Sequence, residues 1–519
     1  MRLPITLLSY FAFLTAFAQI PPYVAEDFGE VEQGYYFMTP NYFQGASNDL
    51  SEAVILDGRG NVVFHQPVPY VSDFRVWPNG RMSYAARGKH VLLDGGFMLV
   101  DSVSCANGVT NDLHELRILA NGNYLVLGSE EITMDLSGYT CFQNGTAAGS
   151  PTAIVEAAVI QELNAAQDLV WEWHAIDHFD FLDVDTTRLN NPNNVDWTHS
   201  NALELDTDGN VLLSSRHFNE ITKIDRNTGE VIWRLGGVQN DFGFGSDPGF
   251  FLQHDIRRLP NGNITLFDNS KATEHPGRAV EYVLNEIDFT ATAVWSRAFG
   301  PGTYSRAMGS VQRLSNGNTL VGWGALTPNN RMFTIYGPDS SLVSELYFPD
   351  TLVSYRAFFF DELPFSIDRP EITCTQIGNS YELSATPFAS SYLWSTGETS
   401  QAITVAQYDT VHVEIPIGSG GYLRSSPFVP NGDCGISGVE ELQDGSLIVV
   451  YPDPASDFVN VRTPNIGSVH SIELTDAQGH VLWSRTTTER ETTIDLTSLP
   501  NGLYLVRVNN TVRALVKSE

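Results

Sequence analysis

The sequence predicts an all-β protein: a six-bladed β-propeller followed by two smaller β units. Three observations carry that prediction. Apolar strand pairs recur with the same turn chemistry, at Asn79-Gly80, Asn121-Gly122, Asp208-Gly209, Asn261-Gly262 and Asn316-Gly317. The turn glycines are 42, 87, 53 and 55 residues apart. Tryptophan returns late in several repeats, in "DLVWEWHA", "GEVIWRLGG" and "TAVWSRAFG". Asn-Gly and Asp-Gly between alternating apolar runs are strong hairpin signals. A unit of about 40–50 residues with fixed turns is the signature of a propeller blade. A sandwich leaves the repetition of whole units unexplained.

Taken in chain order, the first element is a signal peptide over residues 1–18. Arg2 is its basic start, Leu7 to Phe17 its apolar run, and Ala16-Phe17-Ala18 a small-residue cleavage site. No later stretch approaches the about 20 apolar residues that a spanning helix needs, so the expectation is an exported protein with no transmembrane segment. The propeller is expected over 19–365, with blades near 35–70, 71–110, 111–175, 196–238, 250–300 and 303–362. The long second spacing absorbs two polar insertions, near 129–150 and 175–197. Residues 370–435, with "YELSATPFASSYLWSTGETSQAITVAQYDTVHVEI", suggest an immunoglobulin-like sandwich that serves as a spacer or binding module. Residues 446–519 form a third unit.

Composition narrows the function. The chain has 519 residues, 29 basic against 61 acidic, and a formal charge of −32. That balance excludes nucleic acid and anionic membrane surfaces as partners. Lysine occurs only at 89, 223, 271 and 517, which leaves arginine to carry the cationic chemistry. Four cysteines in an exported chain suggest disulfides. Local pairing, Cys105 with Cys141 and Cys374 with Cys434, is the preferred connectivity.

Histidine marks the site. His114, His199 and His254 each open an apolar strand that runs into one of the Gly turns, in "HELRILANGNYLVLG", "HSNALELDTDGNVLLSSRH" and "HDIRRLPNGNITLFDN". Equivalent strand starts in a closed array converge on one end of its channel. Antiparallel pairing across the Asp208-Gly209 turn sets Arg216 beside the start of the His199 strand. Glu115 and Asp255 are expected to point off the shared face by strand alternation. His217 is expected to turn away from Arg216, and His174, His178 and His275 to be solvated. Imidazole serves as nucleophile, acid or base near neutral pH, and arginine as a fixed seat for oxyanions. The set suits an anionic tetrahedral group; three histidines holding zinc is the competing chemistry. The acidic run "DHFDFLDVD" (177–185) lacks the EF-hand spacing and reads as a solvated loop.

Two family resemblances follow from these motifs. "DWTHSNALELDTDGNVLLSSRHFNEITKIDRNTGEVIWRLGG", "FLQHDIRRLPNGNITLFDN" with "RAVEYVLNEID", and "DLHELRILANGNYLVLG" resemble the bacterial arylsulfate sulfotransferases over residues 35–362. The resemblance implies a six-bladed propeller with the site at the channel mouth. It implies sulfuryl transfer from an aryl sulfate donor to a phenolic acceptor, without a nucleotide sulfate, a cofactor or a metal. It implies His254 as the nucleophile that becomes a sulfohistidine. His114, His199 and Arg216 match the groups that hold the sulfuryl and move protons, and Asn201 matches a further substrate-binding residue. Tyr304, Ser305 and Arg306 are candidates for the aryl pocket. In the last unit, "VYPDPASDFVNV", "ELTDAQGHVLWSR" and "IDLTSLPNGLYLVRV" resemble the type A C-terminal sorting domain of type IX secretion. That implies the type IX machinery as partner and a secreted or surface-attached protein. A non-catalytic binding propeller and an aryl-sulfate hydrolase with the same site are the rival functions.

Overall fold

A computed structural model describes residues 20–517 apart from short stretches, the longest being 28–32, 43–50, 435–448 and 463–469. The expected signal peptide lies outside the described residues. Two compact units divide the chain, Met1–Cys434 and Gly435–Glu519.

The first unit contains six blades, each built on four antiparallel strands and three of them extended by further strands, so the predicted blades are present. Blade 2 runs Ser72–Val76, Met82–Ala86, Lys89–Leu93 and Leu99–Val103. Blade 3 runs Thr110–Ile118, Tyr124–Met134, Ala153–Leu163 and Leu169–His174. Blade 4 begins with Ser200–Leu205 and Val211–Ser215, blade 5 with His254–Arg258 and Ile264–Asp268, and blade 6 with Ser310–Arg313 and Thr319–Gly322. The first two strands of blades 2 to 6 meet at the expected turns. Their glycines adopt φ of 81 to 88° at Gly80, Gly122, Gly209, Gly262 and Gly317, a region that costs glycine little and other residues much. Buried tryptophans pack between blades. Trp233 joins Leu212 of blade 4 to Ile256 and Ile264 of blade 5, and Trp173 joins blade 3 to Leu203 and Leu213 of blade 4.

Two features depart from the expected boundaries. Leu352–Phe360, read above as the end of the sixth blade, is the innermost strand of blade 1 and pairs with Tyr35–Tyr42. Val24–Asp27 in turn covers the outer edge of blade 6 through Leu342–Tyr347. Each chain end of the propeller thus completes a blade begun at the other. The segment after 370 is also continuous with the propeller. Tyr422–Arg424 pairs with Val62–Pro67, which extends blade 1 into a seven-stranded sheet. At that seam a buried His65 lies between Glu52 at 3.1 Å and Glu414 at 3.2 Å. Burial works against the charged ring, but the two carboxylates outweigh it and raise its proton affinity. A segment that shares a sheet and a core with blade 1 is no loose spacer.

Cys374 and Cys434 form a disulfide, as expected. The other expected pair is corrected: Cys105 and Cys141 are both free. They belong to different apolar clusters, Cys105 with Leu92 and Leu116 between blades 2 and 3, Cys141 with the insertion that holds Leu136 and Phe142. Burial pushes the Cys105 thiol up to about 12.

The second unit has two antiparallel sheets about one core. Val449–Tyr451, Phe458–Arg462 and Glu491–Asp495 form one; Val481–Thr487, His470–Asp476, Gly502–Val508 and Thr511–Lys517 form the other. Val459, Ile472, Leu474, Ile494 and Val506 are buried between them. Among the described residues no helix is long and apolar enough to cross a membrane.

Candidate active site

The innermost strands are irregular where they enter the channel. Register shifts occur between Ser72 and Arg75, between Ser200 and Ala202, and between His254 and Arg257. The non-glycine residues Asp73, His199 and Asp255 carry φ of 54°, 41° and 60° at these points. A bulge of this kind bends the strand and re-aims its side chains. Here it brings polar residues of several blades together.

His254 is 2 % exposed. Its Nδ1 lies 2.6 Å from Asn269 Oδ1 and 3.1 Å from the Leu252 carbonyl. Asn269 Nδ2 donates to the Met308 carbonyl at 2.8 Å, which orients its oxygen toward the imidazole. With acceptors at Nδ1, the proton sits there and Nε2 keeps its lone pair. The Met308 N–H points at that lone pair from 3.2 Å. Burial and the neighbouring Arg216 hold the imidazole well below the usual histidine range, and His114 and His199 push the same way. His254 is therefore neutral.

The other two histidines have carboxylate partners. His114 Nδ1 lies 2.6 Å from Asp112, and His199 Nδ1 lies 2.5 Å from Asp196. Their ring centroids are 5.6 Å apart. Burial opposes the charge on His114, but Asp112 outweighs it and raises the ring's proton affinity. Arg216 N–H donates to the His199 carbonyl at 3.1 Å, so the expected adjacency holds. Its guanidinium donates to the Arg306 carbonyl at 2.9 Å and to His217 Nε2 at 3.1 Å. It has no carboxylate partner among the described residues, and its Nε is buried without a hydrogen bond. Burial, then Arg188, lowers its pKa to about 10.

Counting back from the turns refines the expected equivalence. His114 and His254 lie eight residues before Gly122 and Gly262, whereas His199 lies ten before Gly209. The eighth place in blade 4 belongs to Asn201. It is fully buried and donates to the Gln253 carbonyl at 2.7 Å, so it braces the backbone leading to His254. Its Oδ1 is buried without a partner among the described residues. Tyr355, from the closing strand, places its ring 5.5 Å from His114 and 6.4 Å from His254. Its hydroxyl donates to the Asn201 carbonyl at 3.2 Å.

Several side chains differ from expectation. Glu115 and Asp255 do not leave the shared interior. They form a buried ionic tier with Arg257 at 2.8 and 2.6 Å, and with Arg356 at 2.9 and 3.0 Å. The bulges turn them inward where regular alternation turns them out. Asp73 joins through Arg356 at 2.6 Å. His217 does not turn away from Arg216; it stacks on His199 at 4.5 Å, and its Nδ1–H donates to the Asp196 carbonyl. A short 3-10 turn at Arg216–Phe218 replaces the expected alternation. His174 pairs with Glu130 and Glu172, His178 stacks on Trp173, and His275 faces Asp268. The acidic run at 177–185 is pinned rather than solvated, with Asp183 on Arg234 and Asp185 on Asn219 and Lys271. Arg306 reaches the site through its carbonyl, and Ser305 through its hydroxyl, 3.3 Å from Asn269 Nδ2.

Sequence reasoning missed Asp112, Asp196, Asn269 and Tyr355. The first three stand inside the quoted motifs: a carboxylate two or three residues before a histidine, and the amide that ends "LFDN". The group as a whole offers one neutral imidazole, two carboxylate-backed imidazoles and a guanidinium with no carboxylate partner among the described residues. Such a set can attack, protonate and hold an oxyanion.

Solved structures similar to this chain are distant. A protein of unknown function from Bacteroides caccae is 12 % identical, with 64 % of this chain and 100 % of that chain covered and a TM-score of 0.41. A streptogramin B lyase is 13 % identical over 70 % of this chain and 94 % of its own, TM-score 0.35. A virginiamycin B lyase from Staphylococcus aureus is 9 % identical over 70 % and 96 %, TM-score 0.34. Scores this low add nothing to the fold read from the sheets. No curated protein matches. Residues 449–518 match the secretion system C-terminal sorting domain, which marks a protein exported to the cell surface or beyond. Residues 23–337, well over half of the chain, match the arylsulfotransferase family, and the chain belongs to it.

Proposed function

We propose that the protein moves a sulfuryl group from a phenolic sulfate ester to a phenol by way of a sulfohistidine at His254. One observation carries this: a buried, neutral imidazole beside a guanidinium that has no carboxylate partner among the described residues. The imidazole is an available nucleophile, and the guanidinium is an empty seat for an oxyanion.

In the first half-reaction Nε2 of His254 attacks sulfur. The N–S bond forms, the S–O bond to the aryl group breaks, and the leaving phenolate takes a proton from His114. Asp112 keeps that imidazole protonated until it is needed. Arg216 holds the sulfuryl oxygens while charge shifts among them. The resting bond from Met308 N–H to Nε2 gives way as the lone pair is used. As the N–S bond forms, Asn269 accepts from Nδ1–H and spreads the developing positive charge. In the second half-reaction His114, now neutral, takes the proton of an incoming phenol. The phenolate attacks sulfur, the S–N bond breaks, and His254 is restored.

The test is acid-quenched mass spectrometry after mixing the protein with para-nitrophenyl sulfate, together with phenol-dependent turnover. The expected result is one sulfuryl group on His254, discharged by added phenol. His254→Ala is expected to lose both signals, with turnover down at least roughly 10⁴-fold, the scale seen when a nucleophile is removed. A fully active His254→Ala protein overturns the assignment. Discharge by water at the same rate without phenol turns the reading into that of a hydrolase.

A metal reading has one observation behind it. Ligand atoms of Asp196, His199 and His217 lie within 4.8 Å of one another. Against it, both ring nitrogens of His217 are engaged, by the Asp196 carbonyl and by cationic Arg216. Turnover abolished by a chelator and restored by zinc favours this second reading.

A further inference from the structure

A cavity of about 180 Å³ opens beside the site, walled by blades 3 and 4. It shares His114 and His199 with the site. Ala157 and Ala158 give it a small, apolar part of its wall, and Asp112, Glu156 and Asp196 give it an acidic one. Two of those carboxylates are committed to imidazoles, as described above. Glu156 is not: it is half-buried, lines the cavity, and its carboxylate has no hydrogen bond or ion pair among the described residues. Ser129 lines the same cavity at 8 % exposure, and its hydroxyl likewise has no partner among the described residues.

Size and charge describe an occupant. A cavity of roughly 150 Å³ holds a benzene ring, so this one fits a single ring with a short substituent. A half-buried carboxylate and a hydroxyl lining one cavity, both without a protein partner among the described residues, suit a group that only donates hydrogen bonds and carries positive charge, which describes an alkylammonium. The cation without a carboxylate partner among the described residues is Arg216, on which Arg188 acts as a like charge; Arg356, which reaches the His114 carbonyl, is neutralised by Asp73, Glu115 and Asp255. The site is thus polarised, with the sulfuryl seat positive and the cavity negative. We infer that this cavity is the aryl subsite and that it selects phenols bearing an ammonium group, with Glu156 reading the charge. The inference rests on the transfer reading, in which leaving and accepting phenols occupy one subsite in turn.

The experiment compares three acceptors of similar size on the full chain with para-nitrophenyl sulfate as donor: tyramine, para-propylphenol and para-hydroxyphenylpropionate. Tyramine is expected to exceed the neutral phenol in kcat/KM by about tenfold, the scale of one charge-assisted hydrogen bond, and the carboxylate to be poorest. Glu156→Gln is expected to bring the tyramine to propylphenol ratio near one, and Glu156→Lys to reverse the order. Equal kcat/KM for the two in the unmodified protein, or a ratio untouched by Glu156→Gln, overturns the inference. Calorimetric titration with tyramine separates this failure from failure of transfer itself. Tyramine binding weakened about tenfold by Glu156→Gln, with no turnover of any acceptor, supports the subsite and overturns transfer. Binding that ignores the charge at position 156 overturns the subsite, whatever the turnover.

Discussion

The blade 5 histidine and its blade 3 counterpart hold the same place before their turns, yet their chemistry differs. His254 rests on an amide, Asn269, and is neutral; His114 rests on a carboxylate, Asp112, and favours its proton. The imidazole is common to both. In the proposed mechanism, the partner at Nδ1 and the surrounding charges divide nucleophile from acid. An inventory of histidines alone therefore overstates their equivalence, and the atoms one bond further out assign the roles.

Exchanging the partners breaks the comparison most severely. In Asn269→Asp a carboxylate faces Nδ1 of His254 and favours the imidazolium, which has no lone pair at Nε2. Turnover is expected to fall roughly tenfold for each pH unit that the new pKa lies above the assay pH, and to recover as pH is raised. Stopped-flow release of nitrophenolate between pH 6 and 9 checks this, and a loss that is flat across that range rules out a protonation effect. The converse change, Asp112→Asn, removes the charge that holds the proton on His114. The acid then fails at lower pH, so the alkaline limb of the first half-reaction is expected to move toward acid, with a loss of about tenfold at its upper end. An unshifted limb removes Asp112 as the group that positions and charges His114.

The smallest effect concerns stability. Burial, then His199, lowers His217 to about 4. Above the ordinary value of about 6.5 neither state binds the proton. As pH falls from there to about 4, the unfolded chain takes up a proton that the folded chain refuses, and stability is lost. A shift of that size corresponds to about 3 kcal/mol. His217→Gln is expected to flatten the decline of urea stability between pH 6.5 and 4; an unchanged slope shows that other groups set the acid lability.

Much of the propeller was legible because its signals are local. A glycine after Asn or Asp fixes a turn, and the alternating residues on either side fix two strands. The Arg216–His199 adjacency came from the same hairpin logic. What failed was whatever depends on an irregularity or on distant chain. Glu115 and Asp255 were placed on the wrong face because their strands bulge: five steps along the chain from Asn111 to Leu116 oppose two on the partner strand, three from His254 to Arg257 oppose two, and an odd slip reverses every side chain after it. Tyr355 and Arg356 carry no repeat signal, since their strand leaves the sixth repeat to join the first. Cys105 and Cys141 are near in sequence but pack in separate clusters.

That returning strand has a consequence for when the candidate site becomes complete. Leu352–Phe360 delivers Tyr355 to the imidazoles and Arg356 to the ionic tier, and it pairs with residues more than 300 positions earlier. The site is thus contributed by both ends of the propeller chain. During export, a polypeptide that has emerged only through its fifth blade possesses His114, His199 and His254 but no finished enclosure around them. Completion is tied to arrival of the last strand, which makes a finished site a property of the fully delivered chain rather than of any growing portion.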